Sequence, residues 1–194
     1  MKKILSLTLV LTIGFAFVAK AGIEWKTGYI LLSTGDSVKG DIRVNLQKEL
    51  PNFSKVAIKI GEVTKTYKPE QVKEYAFDAE KFVSRTVDGE VQFLKVIAQG
   101  QVNLYELQYE MQKGDAMVVD SDYYIEKAGS TTEPQKVKEG KFKKMVAEIM
   151  ADDATLVSKV QSDDKKYEIA DIQNVVVEYN TWYATNNGSY TGSR

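Results

Sequence analysis

The sequence predicts an α+β fold in which a curved antiparallel β-sheet, or partial barrel, is followed by two or three C-terminal helices. Up to about residue 127, short runs rich in tyrosine, valine, isoleucine, phenylalanine and threonine are separated by turn signals, as is typical of antiparallel strands. After a polar, breaker-rich stretch the apolar period changes from two residues to about 3.6, the period of an amphipathic helix. We therefore expect an antiparallel β domain at residues 22–128, a linker at 129–137, a helical segment packed on the sheet at 138–183 and a mobile tail at 184–194.

The predicted strands follow one another as hairpins. Gly35 can adopt the positive φ that a tight turn between the first two strands requires. Asp88-Gly89, a dipeptide favoured in type I′ turns, stands between two runs of strong β character. Pro69 lacks a ladder donor and is expected to interrupt the sheet with one helical turn. The strands are expected at residues 25–33, 37–44, 56–60, 63–67, 75–77, 82–87, 90–98, 102–109 and 123–125.

Three amphipathic helices are expected after the linker, because apolar residues recur there with helical spacing. Asp153 is the expected N-cap of the second helix, and Ser162 or Asp163 that of the third. Short helices are marginal alone, so we expect them to cover one face of the sheet rather than form a separate helical hairpin. The expected apolar faces are Phe142, Met145, Val146, Ile149 and Met150, then Leu156, Val157 and Val160, then Ile172, Val175, Val176, Tyr179 and Tyr183.

Residues 1–21 have the organisation of a secretory signal peptide. Two lysines precede an apolar run at residues 4–18, and Ala19 and Ala21 supply the small residues that signal peptidase reads. A membrane anchor is the alternative, but the uncharged run is shorter than the ~20 residues that cross a bilayer comfortably. We expect cleavage after Ala21, a periplasmic or secreted protein, and no transmembrane span in the mature chain.

The chain contains neither cysteine nor histidine, and both absences restrict its chemistry. Disulfides, thiol nucleophiles and thiolate metal sites need cysteine, while the Ser-His-acid triad needs histidine. Three of the 26 basic residues lie in the leader, so the mature chain is more acidic than the full-length net charge of −1, which disfavours a nucleic-acid partner. We expect no cofactor, no metal and no catalytic residue. A hydrolase that uses carboxylates alone is the enzymatic alternative.

Aromatic side chains supply a candidate surface for a ligand or partner, since flat amphipathic rings suit both sugars and peptides. Packing in the core and across strands is the alternative, because aromatic residues are enriched in strands for that reason. The candidates are Phe93, Tyr105, Tyr109, Tyr123 and Tyr124.

Lysines cluster around the first predicted helix, a pattern that can dock on an anionic membrane surface. A solvated helix face is the favoured alternative, because Glu148 follows Lys144 by four residues and can pair with it. The cluster consists of Lys136, Lys138, Lys141, Lys143 and Lys144.

The order of several short segments resembles an uncharacterised family of exported Bacteroidetes proteins. In that family a β-rich section followed by helices stands alone or precedes an outer-membrane β-barrel. The resemblance implies a fold and a place in the cell envelope, and it implies no catalytic residue. The segments are Tyr67-Lys68-Pro69-Glu70, Phe93-Leu94-Lys95-Val96, Gly100 with Leu104-Tyr105, Tyr123-Tyr124-Ile125-Glu126-Lys127 and Val175-Val176-Val177-Glu178-Tyr179-Asn180.

The leader, the missing catalytic side chains and this resemblance together predict a non-enzymatic binding or accessory module that contacts another protein of the cell envelope. The alternative is a periplasmic carrier that holds a small apolar or glycan ligand inside the curved sheet. A cavity inside the sheet would favour the carrier, and a packed interior would favour the binding module.

Overall fold

The structure is a computed structural model that describes residues 22–45, 48–162 and 165–187. The predicted leader, together with residues 188–194 of the predicted tail, lies outside the described residues. The described chain confirms the expected α+β fold, in which an antiparallel sheet that is not closed is followed by helices.

The sheet has ten strands, and three α-helices follow it. The strands are β1 (Ile23–Leu32), β2 (Ser37–Asn45), β3 (Val56–Ile60), β4 (Val63–Tyr67), β5 (Val72–Phe77), β6 (Glu80–Val87), β7 (Glu90–Ala98), β8 (Val102–Lys113), β9 (Ala116–Lys127) and β10 (Gln135–Lys136). The helices are α1 (Phe142–Ile149), α2 (Ala154–Gln161) and α3 (Ile172–Asn187).

β1 lies inside the sheet, with β2, β3 and β4 added in turn on one side and β5 to β10 on the other. The sheet is strongly curved. Arg85 on β6 reaches Glu126 on β9 at 3.1 Å although β7 and β8 lie between them. Three strand spacings amount to about 14 Å in a flat sheet, further than two such side chains can bridge. The curl therefore brings the β6–β7 hairpin over β8 and β9.

Aromatic side chains fill the interior of the curved sheet. Phe82 on β6 stacks on Tyr75 of β5 with 4.7 Å between ring centroids, and it meets Phe53 edge to face at 5.3 Å. Phe93 on β7 lies edge to face against Tyr75 at 4.9 Å. The Tyr75 hydroxyl donates to the Asn52 carbonyl at 2.5 Å, so its polar end is satisfied within the core. The interior formed by these residues is packed with side chains.

The helices cover the sheet where β8 begins and β9 ends. Val102 and Leu104 on β8 and Ile125 on β9 share a buried cluster with the apolar faces of α1, α2 and α3. Asp153 is the N-cap of α2, as predicted, and its Oδ1 accepts the Leu156 N–H at 3.0 Å. The predicted stripes account for most of this cluster, and the helices pack on the sheet.

The Asn180 side chain holds α3 to the sheet with the two hydrogen bonds that a neighbouring strand would otherwise make to Val102. Its side-chain oxygen accepts the Val102 N–H at 2.9 Å, and its amide nitrogen donates to the Val102 carbonyl at 2.8 Å. Gly100 leaves the space for this contact, since a Cβ there would lie 2.4 Å from the Asn180 Cγ. Two residues of the resembling segments thus have a structural role.

Three features differ from the expectations. α3 begins at Ile172 rather than near Ser162, which ends α2, and the expected cap Asp163 lies outside the described residues. The segment before α3 forms two 3₁₀ turns, from which Tyr167 and Ile169 pack against the helical cluster. β10 falls within the predicted linker, and residues 184–187 of the predicted tail form the end of α3.

Candidate functional site

Three of the five predicted aromatic residues are buried. Phe93 is part of the aromatic core and is fully buried. Tyr105 and Tyr124 lie directly opposite each other on β8 and β9, and both are 2 % exposed. These three rings stabilise the sheet by packing, as the alternative interpretation of the aromatic set describes.

The other two predicted aromatic residues lie elsewhere. Tyr123 neighbours Tyr124 on β9, so it points to the opposite face, where it packs against the helical cluster. Tyr109 lines a broad groove of about 1220 Å³ together with Phe53 and Leu107. The structure brings Tyr105 and Tyr124 together but does not unite all five rings on one surface.

Arg85, Glu126 and Tyr105 form an anchor between the β6–β7 hairpin and β8–β9. The Tyr105 hydroxyl donates to Glu126 Oε2 at 2.6 Å, and Arg85 Nε donates to the same oxygen at 3.1 Å. Burial and the Glu126 carboxylate raise the pKa of Tyr105 well above its ordinary value. The three groups satisfy one another, which is the behaviour of a structural contact rather than of a poised acid or base.

A cleft of about 480 Å³ opens beside this anchor. Apolar side chains such as Leu31 and Val83 form part of its wall, and charged groups lie among them. Glu74 accepts the Tyr29 hydroxyl at 2.7 Å and pairs with Lys81 at 3.0 Å. These polar groups are engaged with one another, so the cleft is a weaker candidate site than its size suggests.

Three lysines of the predicted basic cluster make contacts within the protein. Lys136 pairs with Asp122, and Lys144 pairs with Glu148 at 3.7 Å. Lys143 donates to the Ser162 carbonyl at the end of α2 at 2.9 Å. The remaining two, Lys138 and Lys141, are exposed beside a 3₁₀ turn. The solvated helix face is therefore the better interpretation of this cluster.

The strongest candidate is an arm formed by the far ends of β8 and β9, which we define as residues 110–119. β8 and β9 remain paired without a register shift as far as Lys113 and Ala116. Every residue from 110 to 117 is exposed. Among the described strands, β7 pairs with β8 only as far as Glu106. The arm is thus a two-stranded hairpin that extends beyond the rest of the sheet.

Apolar side chains lie on both faces of the arm. Met117 and Val119 alternate along β9 and share one face, with 63 % and 58 % of their surfaces exposed. Met111, 37 % exposed, is paired with Val118 and lies on the opposite face. A two-stranded hairpin is marginal in water, and exposed apolar side chains gathered on one make it a candidate contact surface for another protein. Methionine suits such a surface because its side chain is flexible and adaptable.

Sequence reasoning missed the arm because it ended β8 at Tyr109 and began the last strand at Tyr123. A local signal was present: apolar residues stand on both sides of Lys113-Gly114-Asp115, and Gly114 has the positive φ of a tight turn, at 63°. The polar residues Asp120 to Asp122 hid the continuity of β9, since they are depleted in strands.

The described residues contain no group of three or more acidic side chains placed to hold a metal ion. None of the described helices combines the length and the apolar character needed to span a bilayer. Comparison of the chain with protein-family models, with curated proteins and with solved structures finds no match. The site must therefore be interpreted from its own geometry.

Proposed function

We propose that this protein is a non-enzymatic binding or accessory module, exported to the periplasm or beyond the cell, that contacts another envelope protein through the arm. One observation carries the proposal: Met111, Met117 and Val119 are exposed on a hairpin that no other described element covers. Exposing these side chains to water costs about 1 kcal/mol or more each. Binding of a partner would remove that cost.

The carrier hypothesis has less support. Its ligand would occupy the inside of the curved sheet, yet Tyr75, Phe82 and Phe93 are at most 1 % exposed and contact one another there. A ligand would have to displace them, at the cost of core packing. Native mass spectrometry of the purified protein separates the hypotheses, since a carrier retains a bound small molecule and a binding module has its bare mass.

Site-specific photocrosslinking in living cells tests the proposed function. A photoreactive phenylalanine analogue is placed at Met117 or at Met111, one on each face of the arm. Irradiation is expected to give a discrete protein adduct from at least one of these positions, because a bound partner would lie within contact distance.

The matched control carries the same analogue at Val177, an apolar residue of α3 that is 47 % exposed. Its exposure lies between those of Met111 and Met117, and α3 contacts the start of β8 at Val102, the end of that strand away from the arm. Equal labelling at Val177 and Met117, or no adduct at either arm position, would contradict the proposal.

Export is tested separately, by fractionation and N-terminal sequencing of the protein from its native cell. The expected mature chain begins at Gly22. Recovery of the uncleaved chain from the cytoplasm would contradict export, and with it the proposal that the partner is an envelope protein.

A further inference from the structure

The geometry points to strand addition as the way in which the arm binds. We propose that the partner contributes an extended segment that pairs antiparallel with the outer edge of β9 at residues 117–121, with a basic side chain facing Asp120. This inference rests on the proposed function, because it names the partner's chemistry at the same site. In strand addition the main-chain hydrogen bonds provide affinity and alternate side chains provide specificity.

The outward main-chain groups of β9 belong to its odd-numbered residues. The N–H and C=O of one strand residue point to the same side, and successive residues alternate. The Tyr123 carbonyl accepts the Val137 N–H at 2.8 Å from the segment that follows β10, which fixes Tyr123 as an outward residue. The main-chain N–H and C=O groups of Met117, Val119 and Ser121 therefore point outward as well. In the described chain, no strand pairs with β9 at these three residues except β8 on the inner side.

The protein already adds a strand to the adjacent part of this edge. Gln135 and Lys136 of β10 pair with Ile125 and Tyr124 of β9. After Val137 the chain turns away toward α1, so the antiparallel ladder stops while β9 continues to Ala116. An incoming segment would extend the ladder from the point where β10 leaves it, in the same direction as β10.

Charge indicates which segment fits. Lys136 on β10 forms an ion pair with Asp122. Asp120 repeats the Asp122 position two residues along β9 and is exposed. Its Oδ1 accepts the Ser121 N–H at 2.9 Å, which holds the carboxylate at the edge. Because this N–H is taken, an added strand would bond to the Ser121 carbonyl and to both main-chain groups of Met117 and Val119. A lysine or arginine on the added strand would face Asp120 as Lys136 faces Asp122, and apolar side chains would cover Met117 and Val119.

The opposite edge of the sheet is protected against strand addition. β4 carries an exposed lysine, Lys65, at its centre, directly opposite Ile58 of β3. Natural sheets place charged side chains, lysine especially, on edge strands to prevent edge pairing. Residues 116–122 of β9 contain neither lysine nor proline. The arm and Asp120 together carry three acidic side chains, Glu110, Asp115 and Asp120, and one lysine, Lys113, so repulsion between their net negative charges makes a second copy a poor partner.

Substitutions at Val119 and Asp120 test the inference in cells that carry the photoreactive analogue at Met111, away from the substituted edge. Val119→Pro removes one outward N–H and leaves the ladder with β8 intact, because the Val119 N–H does not point to β8. Val119→Thr is the matched control, with nearly the same shape and an intact N–H. Asp120→Lys reverses the edge charge, and Asp120→Asn removes it. Thermal unfolding confirms that each variant is folded.

Val119→Pro and Asp120→Lys are each expected to reduce the adduct by about tenfold, the loss that one or two missing main-chain bonds or an adverse charge would produce. Val119→Thr should remain within about twofold of the parent. Mass spectrometry of the adduct should identify a segment with alternating apolar residues and at least one lysine or arginine.

The two proposals can fail separately. An adduct that Val119→Pro leaves unchanged would overturn strand addition while the binding function stands. An adduct of two copies of this chain, or a crosslinked segment without a basic residue, would also overturn the inference. Absence of any adduct from the parent would overturn the binding function itself.

Discussion

Replacing Asn180 should release α3 from the sheet. Its side chain holds both the N–H and the carbonyl of Val102, a residue with no exposed surface. Asn180→Ala leaves these two buried main-chain groups without partners, and an unsatisfied buried group costs about 1–3 kcal/mol. Partial entry of water offsets some of this cost. We expect a loss of about 2–4 kcal/mol in the free energy of unfolding.

A substitution at Gly100 provides a second, independent way to break the same contact. The Cβ of an alanine there would lie 2.4 Å from the Asn180 Cγ, so Asn180 must move and give up its bonds to Val102. Gly100→Ala should therefore cost about as much as Asn180→Ala, roughly 2–3 kcal/mol. The double variant should cost little more than either single one, because both changes break the same contact. The coupling energy is expected to be about 2 kcal/mol.

The assay is equilibrium unfolding in urea of the mature chain and of the three variants, followed by circular dichroism. Thermal unfolding should show a fall in Tm of about 5–15 °C for each single variant. Asn186→Ala is the control on the same helix, since the Asn186 side chain is exposed and bonds only within α3. It should change the free energy of unfolding by at most about 0.5 kcal/mol.

Strict additivity would refute this reasoning. If the losses from Gly100→Ala and Asn180→Ala simply sum in the double variant, the two residues do not share one contact. A neutral Asn180→Ala would show that α3 is held to the sheet by its apolar face alone.

Three further predictions concern the anchor, the second helix and pH. Arg85→Met leaves Glu126, whose side chain is 10 % exposed, without its cation. In urea unfolding this variant should lose about 2–4 kcal/mol of the free energy of unfolding. The double variant, Arg85→Met with Glu126→Gln, should recover part of that loss. Asp153→Ala removes the N-cap of α2 and should cost about 0.5–2 kcal/mol, whereas Asp153→Asn should cost less. Burial raises the pKa of Tyr105 above that of an unfolded tyrosine. Unfolding therefore releases a proton above about pH 10, and the free energy of unfolding falls there. Since the chain has no histidine, Tm should be nearly constant from about pH 6 to 9. A Tm that drops between pH 6 and 8, or an Arg85→Met or Asp153→Ala variant as stable as the parent, would contradict the corresponding assignment.

Much of the fold can be predicted from turn and helix signals that are local in the sequence. Gly35 and Gly89 have the positive φ that the predicted hairpins require, at 98° and 82°, and Asp88 shares the left-handed region at 53°. The apolar stripes of the three helices were also readable, because a helical face repeats within a few residues. In both cases the information lies within a short stretch of chain.

Features that depend on distant pairing could not be predicted. Residues 116–122 form a strand because they pair with β8, although Asp120 and Asp122 are unfavourable strand residues. β10 exists only because β9 has a free edge beside it. The anchor between Arg85 and Glu126 depends on the curl of the whole sheet, which no local pattern specifies.

The candidate site was harder to predict than the fold. The sequence pattern favours aromatic residues as a binding surface, but Phe93, Tyr105 and Tyr124 are buried and pack in the core. The exposed methionines and valines of the arm are indistinguishable in sequence from core residues of a strand. Only the three-dimensional arrangement, in which neither β7 nor β10 extends along them among the described residues, identifies them as surface.

Shortening the arm tests the central claim most directly. Residues 110–119 are replaced by Asn-Gly, which joins Tyr109 to Asp120 by a two-residue turn at a hydrogen-bonded pair of the ladder. Because most of the removed residues are exposed, Tm should stay within a few degrees of the parent. Purified tagged protein of each form is then compared for recovery of the crosslink-identified partner from envelope extracts. We predict that the shortened protein is folded and recovers none of the partner; recovery equal to that of the parent would contradict the account.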